Sequence, residues 1–248
     1  MLARSNKRHL VRNAILAGLS AQEMAAISPF LEPIVMKDRL ILHESNKSVD
    51  RVYFIETGVV SLRMVAAGSI LETAVVGYQG AVGASSVLGA HMPISQSVVL
   101  FPGSALRIDV DDLRRVTDER PQIRERLARY VRALAVHSAQ TGFCGVRHSL
   151  EQRLASWLCL TGDAFDRRTL PITHDYLSAV LGLRRAGVTE ALIRFEEEGL
   201  IHKMRGVLQV NDRKRLEQKT CGCYGTITNA YASATRFPSA AQHAEIIS

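Results

Sequence analysis

Arg184 and Arg185 stand side by side two residues after Gly182, and Thr189, Glu190 and Arg194 follow at helical intervals. A guanidinium can bond guanine O6 and N7 together, a threonine hydroxyl can meet a base or a phosphate, and a carboxylate can accept from a cytosine amino group. Lys203 and Arg205, further along, and Thr173, before them, are suited to phosphate oxygens. These groups read a duplex only if a short helix carries them into the major groove, which admits one helix and little else. Other chemistry is poorly represented. The chain has no Ser/His/Asp or Cys/His nucleophile signature, no phosphate-binding Gly loop and no HExxH run. The pairs Asp111-Asp112 and Glu196-Glu197 are solvated helix charges, so no enzymatic activity is expected.

The elements that would position the arginines can be read locally. Thr173 is a helix N-cap, and Leu177, Val180 and Leu181 form the inner face of the helix it opens. Gly182 supplies a positive φ for a tight turn. Val188, Leu192 and Phe195, spaced i, i+4, i+7, form the buried face of a second helix. Gly199-Leu200-Ile201 ends it and starts a hairpin, Ile201 to Met204 and Val207 to Val210, closed at Arg205-Gly206. A helix-turn-helix followed by a hairpin is a winged helix. Upstream, Ser149-Leu150-Glu151-Gln152 forms a capping box, and Leu150, Leu154, Trp157 and Leu158 form the stripe of the helix it starts.

Residues 30–110 contain short strand patterns punctuated by turn residues, which predicts a small antiparallel barrel or jelly roll. Glu56-Thr57-Gly58 is expected to turn a hairpin between Arg51 to Ile55 and Val59 to Val65. Ser97 to Phe101 and Ala105 to Ile108 are expected as separate strands around Pro102-Gly103. After Asp109 a short helix is predicted over Val110 to Arg120, with Pro121 opening a longer one. In that longer helix Ile123, Leu127, Tyr130, Leu134, His137 and Thr141 alternate by four and three, the seam of a coiled coil, and predict a dimer interface. The alternative is an amphipathic helix packed on its own barrel. Gly142 and Gly145 mark its end and a hinge.

The 248 residues carry a formal net charge of +7, which favours polyanionic partners. A 47% hydrophobic content and no run of about 18 apolar residues predict a globular chain without a membrane span. Four cysteines do not make a disulfide scaffold, and the first residues lack the apolar core of a secretion signal, so a reducing cytoplasm is expected. The expected organisation is a β-roll with leading helices over 1–110, a dimerisation helix over 111–145, a winged helix-turn-helix over 146–224 and a poorly ordered tail over 225–248.

Residues from about 25 to 224 resemble the Crp/Fnr family of bacterial regulators. The resemblance rests on Val52-Tyr53-Phe54-Ile55-Glu56-Thr57-Gly58, the Gly77 to Gly89 cassette, the long helix and the stretch Ile172 to Leu200. It implies an α+β chain with a β-roll sensor, a dimerisation helix and winged helices binding a two-fold symmetric operator. It also implies contact with RNA polymerase and reorientation of the DNA-binding units by an input to the β-roll, the effector being unknown. A ligand- or redox-sensing β-roll with vestigial DNA binding is the competing reading.

The sequence departs from the family at its sensor. Ala84 stands where cyclic-nucleotide-binding members carry a Glu, the matching Arg is absent from Pro93 to Ser97, and no Lys or Arg occurs between Arg63 and Arg107. A buried cyclic phosphate would lack a charged partner, so control by cyclic AMP on the usual pattern is not expected. Iron–sulfur members gather thiolates near the N-terminus, whereas the first cysteine here is Cys144. Cys144, beside Arg147 and His148 near the hinge, is where a redox-sensitive thiol would act. Cys221-Gly222-Cys223 is too closely spaced for an ordinary zinc knuckle and no partner pair is expected nearby, so no metal and no cofactor are expected. His91 and His137, the histidines a haem sensor would use, are expected to be ordinary surface or core residues. In the recognition helix Ala186 and Glu190 replace the family's Glu and Arg, implying a different half-site.

Overall fold

The computed structural model describes residues 11–89 and 92–235. Two short helices, α1 (Ala14–Ala17) and α2 (Ala21–Ile27), lead into the strands β1 (Glu32–Met36), β2 (Ile41–His43), β3 (Arg51–Ala66), β4 (Ser69–Val76), β5 (Ala81–Val82) and β6 (Gln96–Asp109). All pairings are antiparallel, in the order β1-β6-β3-β4, with β2 on β6 and β5 on β3. Asn13 is fully buried and ties the leading helices to this sheet, its Nδ2 donating to the carbonyls of Ile55 and Gly80 at 2.9 and 2.8 Å.

Two expected breaks in the sheet are absent. Glu56-Thr57-Gly58 does not turn a hairpin; β3 runs straight through it and turns at Ala67-Gly68 instead. Gly58 takes its positive φ (85°) at a bulge, where the register against β6 slips on either side of Thr57. A Cβ there would lie 2.6 Å from the Phe101 carbonyl oxygen, so close approach of the two backbones also requires glycine. Pro102-Gly103 likewise sits inside β6 rather than dividing it. Turn-type residues mark local backbone freedom, and a bulge in a long strand uses it as readily as a turn does.

Beyond the sheet come α3 (Val110–Glu119) and α4 (Pro121–Arg147), separated at Arg120, with Pro121 in the first turn of α4. The Ser149–Gln152 capping box forms as the residues suggest, both of its bonds being present, and opens α5 (Leu150–Phe165). After β7 (Thr169–Leu170) come α6 (His174–Leu181) and α7 (Arg185–Glu197), then the hairpin β8 (Ile201–Met204) and β9 (Val207–Val210). β7 completes a three-stranded sheet in the order β7-β9-β8. The chain continues through α8 (Arg213–Gln218), capped by Asp212, into α9 (Gly222–Thr235).

The tail expected to be poorly ordered from residue 225 is therefore helical to Thr235, and residues 236–248 lie outside the described residues. Small residues such as Gly225, Ala230, Ala232 and Ser233 dilute the apolar signal of α9. Tyr224, Ile227 and Tyr231 nonetheless fall on one face, and α9 lies along α4.

That packing decides what α4 presents. Ile123, Leu127 and Tyr130 are buried in the core of the β-roll and its helices, Leu134 is half-buried against the same core, and His137 is buried with its Nδ1 3.1 Å from the Tyr231 hydroxyl. Thr141 is half-buried. Of the row expected to meet a second chain, Ile123, Leu127, Tyr130 and His137 are thus buried within the protomer, while Leu134 and Thr141 keep part of their surface exposed. A four-three alternation defines one apolar stripe on a helix but is silent about what the stripe packs against.

Candidate nucleic-acid interface

The winged helix is assembled from the inside. Leu177 and Val180 of α6, Val188, Ala191, Leu192 and Phe195 of α7, and Leu200, Ile201, Leu208 and Val210 around the hairpin are all at most 3% exposed. Thr173 caps α6 by accepting from the Tyr176 N–H at 3.2 Å, and Gly182 closes the turn at φ 59°. With the inner faces committed to this core, the first turns of α7 point their remaining side chains outward. Arg184, Arg185, Ala186, Glu190 and Arg194 are exposed. Thr189 is half-buried, its hydroxyl 3.1 Å from His174 Nδ1.

Several of these cations already have partners. Arg185 Nε lies 2.7 Å from Asp175 Oδ1, and Arg194 Nε donates to Glu151 Oε1 at 2.6 Å. On the wing, Lys203 Nζ lies 2.9 Å from Glu196 Oε2, and its backbone N–H donates to Glu196 Oε1 at 2.7 Å. That backbone bond is the main reason the Glu196 carboxyl sits below its ordinary pKa. The Arg185 pair is solvent-exposed on both sides, so it holds the guanidinium only weakly and leaves it available to a stronger acceptor. Arg205 projects from the exposed tip of the wing, beside Gly206. Thr173 therefore lies at the start of α6, Arg184, Arg185, Thr189, Glu190 and Arg194 on α7 and its cap, and Lys203 and Arg205 on the wing, as their sequence order suggested. The ion pairs, formed with residues up to 43 positions away, were not legible from that order.

The winged helix is also docked on the β-roll. One continuous apolar cluster joins Val59, Val75, Leu100 and Phe101 to Trp157, Leu177 and Val180, and the Phe101 and Phe165 rings lie 4.7 Å apart. At its edge the carboxylate of Glu72 on β4 is 3% exposed and accepts from Ser61, from Trp157 Nε1 and from the Tyr176 hydroxyl. Arg63 completes the network through Ser61 Oγ and the Tyr176 hydroxyl. Burial raises the Glu72 pKa above the ordinary carboxylate value, opposed by these donors. Ala84, Ser86 and Val87 are buried, and His43 and Val49 crowd Gly83. A cleft of about 580 Å3 lies elsewhere, between Gly77 to Gly80, α4, α5 and α9.

The structure also brings together residues that sequence reasoning separated. Cys144 and His148 at the end of α4 meet Cys221 and Cys223 at the start of α9, and their donor atoms all lie within 4.8 Å of one another. The expectation that Cys221-Gly222-Cys223 lacks a partner pair is corrected: the pair is supplied from more than 70 residues away. Cys159 belongs to the core, with Arg213 Nη1 donating to its sulfur at 2.7 Å. His91 lies outside the described residues.

Comparison with known proteins agrees with this geometry. Residues 152–219 match the family model of the Crp-like helix-turn-helix domain. Over 222 residues, 85% of this chain and 97% of the relative, the sequence is 25% identical to a CRP-like cAMP-activated global transcriptional regulator of Mycobacterium tuberculosis. Two solved structures share the fold. FixK2 from Bradyrhizobium japonicum aligns with a TM-score of 0.66 at 14% identity, covering 77% of this chain and 98% of that one. A transcriptional regulator of the Crp/Fnr family from Eubacterium rectale aligns with a TM-score of 0.62 at 18% identity, covering 81% and 94%. The chain thus carries a Crp-like helix-turn-helix domain on a Crp/Fnr-type fold. Among the described residues no helix is long and apolar enough to cross a membrane.

Proposed function

We propose that this chain, with its Crp-like helix-turn-helix domain on a Crp/Fnr-type fold, is a transcription regulator that binds specific DNA as a homodimer. One observation carries the reading: the start of α7 offers Arg184, Arg185, Ala186 and Glu190 to solvent from a helix whose opposite face is fully buried, with the wing beside it. That arrangement delivers base-reading side chains to a major groove while Thr173, Lys203 and Arg205 meet flanking phosphates.

Dimerisation is assigned to a different face of α4 from the one its apolar pattern suggests. Ala128, Arg132, Ala135, Ala139, Gly142 and Val146 keep the four-three spacing on the side away from the core, and all but Ala128 are exposed. Val146 is 84% exposed and Phe143, beside it, 53%, apolar area that a second α4 would cover. Two winged helices related by a two-fold axis then require a two-fold symmetric operator.

Cyclic AMP is not the input in this reading. It acts on the Mycobacterium tuberculosis relative by that protein's description, but here Ala84 replaces the expected carboxylate and no Lys or Arg between Arg63 and Arg107 could meet a cyclic phosphate. Selection of bound DNA from a random pool tests the function directly. Enrichment of an inverted repeat is expected; retention of DNA without sequence preference would leave only the reading of a sensor with vestigial DNA binding.

A further inference from the structure

We propose that Cys144, His148, Cys221 and Cys223 bind one zinc-class divalent ion in a closed, tetrahedral Cys3His site that staples both ends of the DNA-binding unit. His148 caps α4 four residues after Cys144, its backbone N–H donating to the Cys144 carbonyl at 3.1 Å, which keeps the two residues together at the end of that helix. Cys221 and Cys223 flank Gly222, the first residue of α9, and their spacing places both sulfurs at that helix start. Cys144 Sγ lies 3.4 Å from Cys221 Sγ, and Cys223 Sγ lies 3.6 Å from His148 Nδ1. Zinc–sulfur bonds near 2.3 Å and zinc–nitrogen bonds near 2.0 Å give tetrahedral edges of about 3.8 Å between sulfurs and about 3.5 Å between sulfur and nitrogen. The four donors therefore stand close to coordinating positions for a single ion. With none of them more than 4.8 Å from another, there is no room for the irons and sulfides of a cluster.

The surroundings suit a structural ion. The three cysteines form a small buried cluster of their own, each at most 7% exposed, and with His148 they make four protein ligands, the number a structural ion takes. Ser156 Oγ supports the site from α5, accepting from the Cys221 N–H at 3.4 Å and lying 3.6 Å from its sulfur. The Phe143 ring stands edge-on to His148, the ring centroids 5.7 Å apart. Binding replaces three thiol protons, which leave to solvent, while the neutral imidazole gives a lone pair. The occupied site carries one net negative charge, and Arg153 of α5 lies within electrostatic reach of Cys144 to balance it. Softness of the three sulfurs selects zinc over magnesium or calcium.

The position gives the ion its consequence. Residues 149–220 contain the whole winged helix; His148 ends the segment entering it and Cys221 begins the segment leaving it. α4 runs through Gly142 and Gly145, the expected hinge, to Arg147, so one ion joining these four residues fixes the α4–α5 junction at His148 and anchors the start of α9 against α4. Without it the start of α9 is held by packing against α4, by the Cys221 N–H bond to Ser156 and by the His137–Tyr231 contact.

The experiment uses the untagged, full-length, reduced chain. Zinc content by plasma mass spectrometry after dialysis against buffered zinc is expected at about one ion per chain. Cobalt in its place should give the intense visible bands of a tetrahedral thiolate site. Zinc should shield Cys144, Cys221 and Cys223, and not Cys159, from slow alkylation. Cys223→Ser and His148→Ala should lose at least about tenfold in zinc affinity, while Cys159→Ser keeps the wild-type value. The wild-type chain alone can overturn the proposal, whatever the variants do on folding. Folded, reduced protein that takes up no stoichiometric zinc, or whose thiols alkylate equally with and without it, refutes the site. So does protein isolated with a Cys144–Cys221 disulfide that binds no metal once reduced. None of these readouts depends on DNA, so the site and the regulator assignment can fail separately.

Discussion

The Tyr176 hydroxyl, on the first helix of the helix-turn-helix, donates to the buried Glu72 carboxylate of the β-roll at 3.1 Å. Trp157 reaches the same carboxylate from α5, so one acidic group on β4 holds two helices of the DNA-binding unit. Glu72→Ala removes the acceptor and leaves buried donors unmatched, at a cost of about 1–3 kcal/mol. Chemical denaturation should show that loss. Trp157, the only tryptophan, should change its emission in the folded state as the indole is released. A variant with unaltered stability and emission would mean that apolar packing alone docks the unit.

Arg185→Ala should weaken binding to the selected operator by about 1–3 kcal/mol and relax the preference at one base position. Equal weakening on all sequences would reassign Arg185 to a phosphate. Asp175→Ala, which frees Arg185 from its ion pair, should strengthen binding slightly at low salt. Arg205→Ala should lower the salt dependence of binding by about one counterion without changing which sequence is preferred.

Charge placed on the outer face of α4 should separate the protomers. Ala135→Glu and Val146→Glu are expected to sediment as folded monomers with greatly reduced operator affinity. Leu134→Glu, by contrast, puts a carboxylate into the protomer's own core and should unfold it. Dimeric outer-face variants would disprove the assigned face.

Protonation of His137 provides a pH test. Burial drives its pKa from 6.5 to about 4. Between those values the unfolded chain binds the proton and the folded chain does not, so stability rises with pH across the window and is fully present above about 6.5. Acidification from pH 7 to 4 should cost about 3 kcal/mol through this residue. Glu72, whose folded pKa is raised, acts in the opposite sense. The quantity to measure is therefore the difference in unfolding free energy between wild type and His137→Leu, followed from pH 7 to 4. A constant difference would contradict the burial of His137.

Cyclic AMP at millimolar concentration should produce no calorimetric signal and leave operator affinity unchanged. Micromolar binding would mean that backbone groups hold the phosphate without a charged side chain, and would overturn the exclusion of cyclic AMP.

Much of this protein was determined locally. The Thr173 cap, the Gly182 turn, the buried face of α7 and the wing arise from interactions among residues a few positions apart, so their types and spacing sufficed to specify them. The same holds for the long α4 and for the outward position of Arg184 and Arg185. Only the tertiary structure decided what pairs with what at a distance. It turned the stripe of Ile123, Leu127, Tyr130 and His137 toward the β-roll and α9, because periodicity defines a face without naming the surface that covers it. It made Gly58 a bulge, because the same backbone freedom serves either geometry. It also gathered Cys144 and His148 with Cys221 and Cys223, since proximity across more than 70 residues is set by how helices pack and leaves no mark in local spacing.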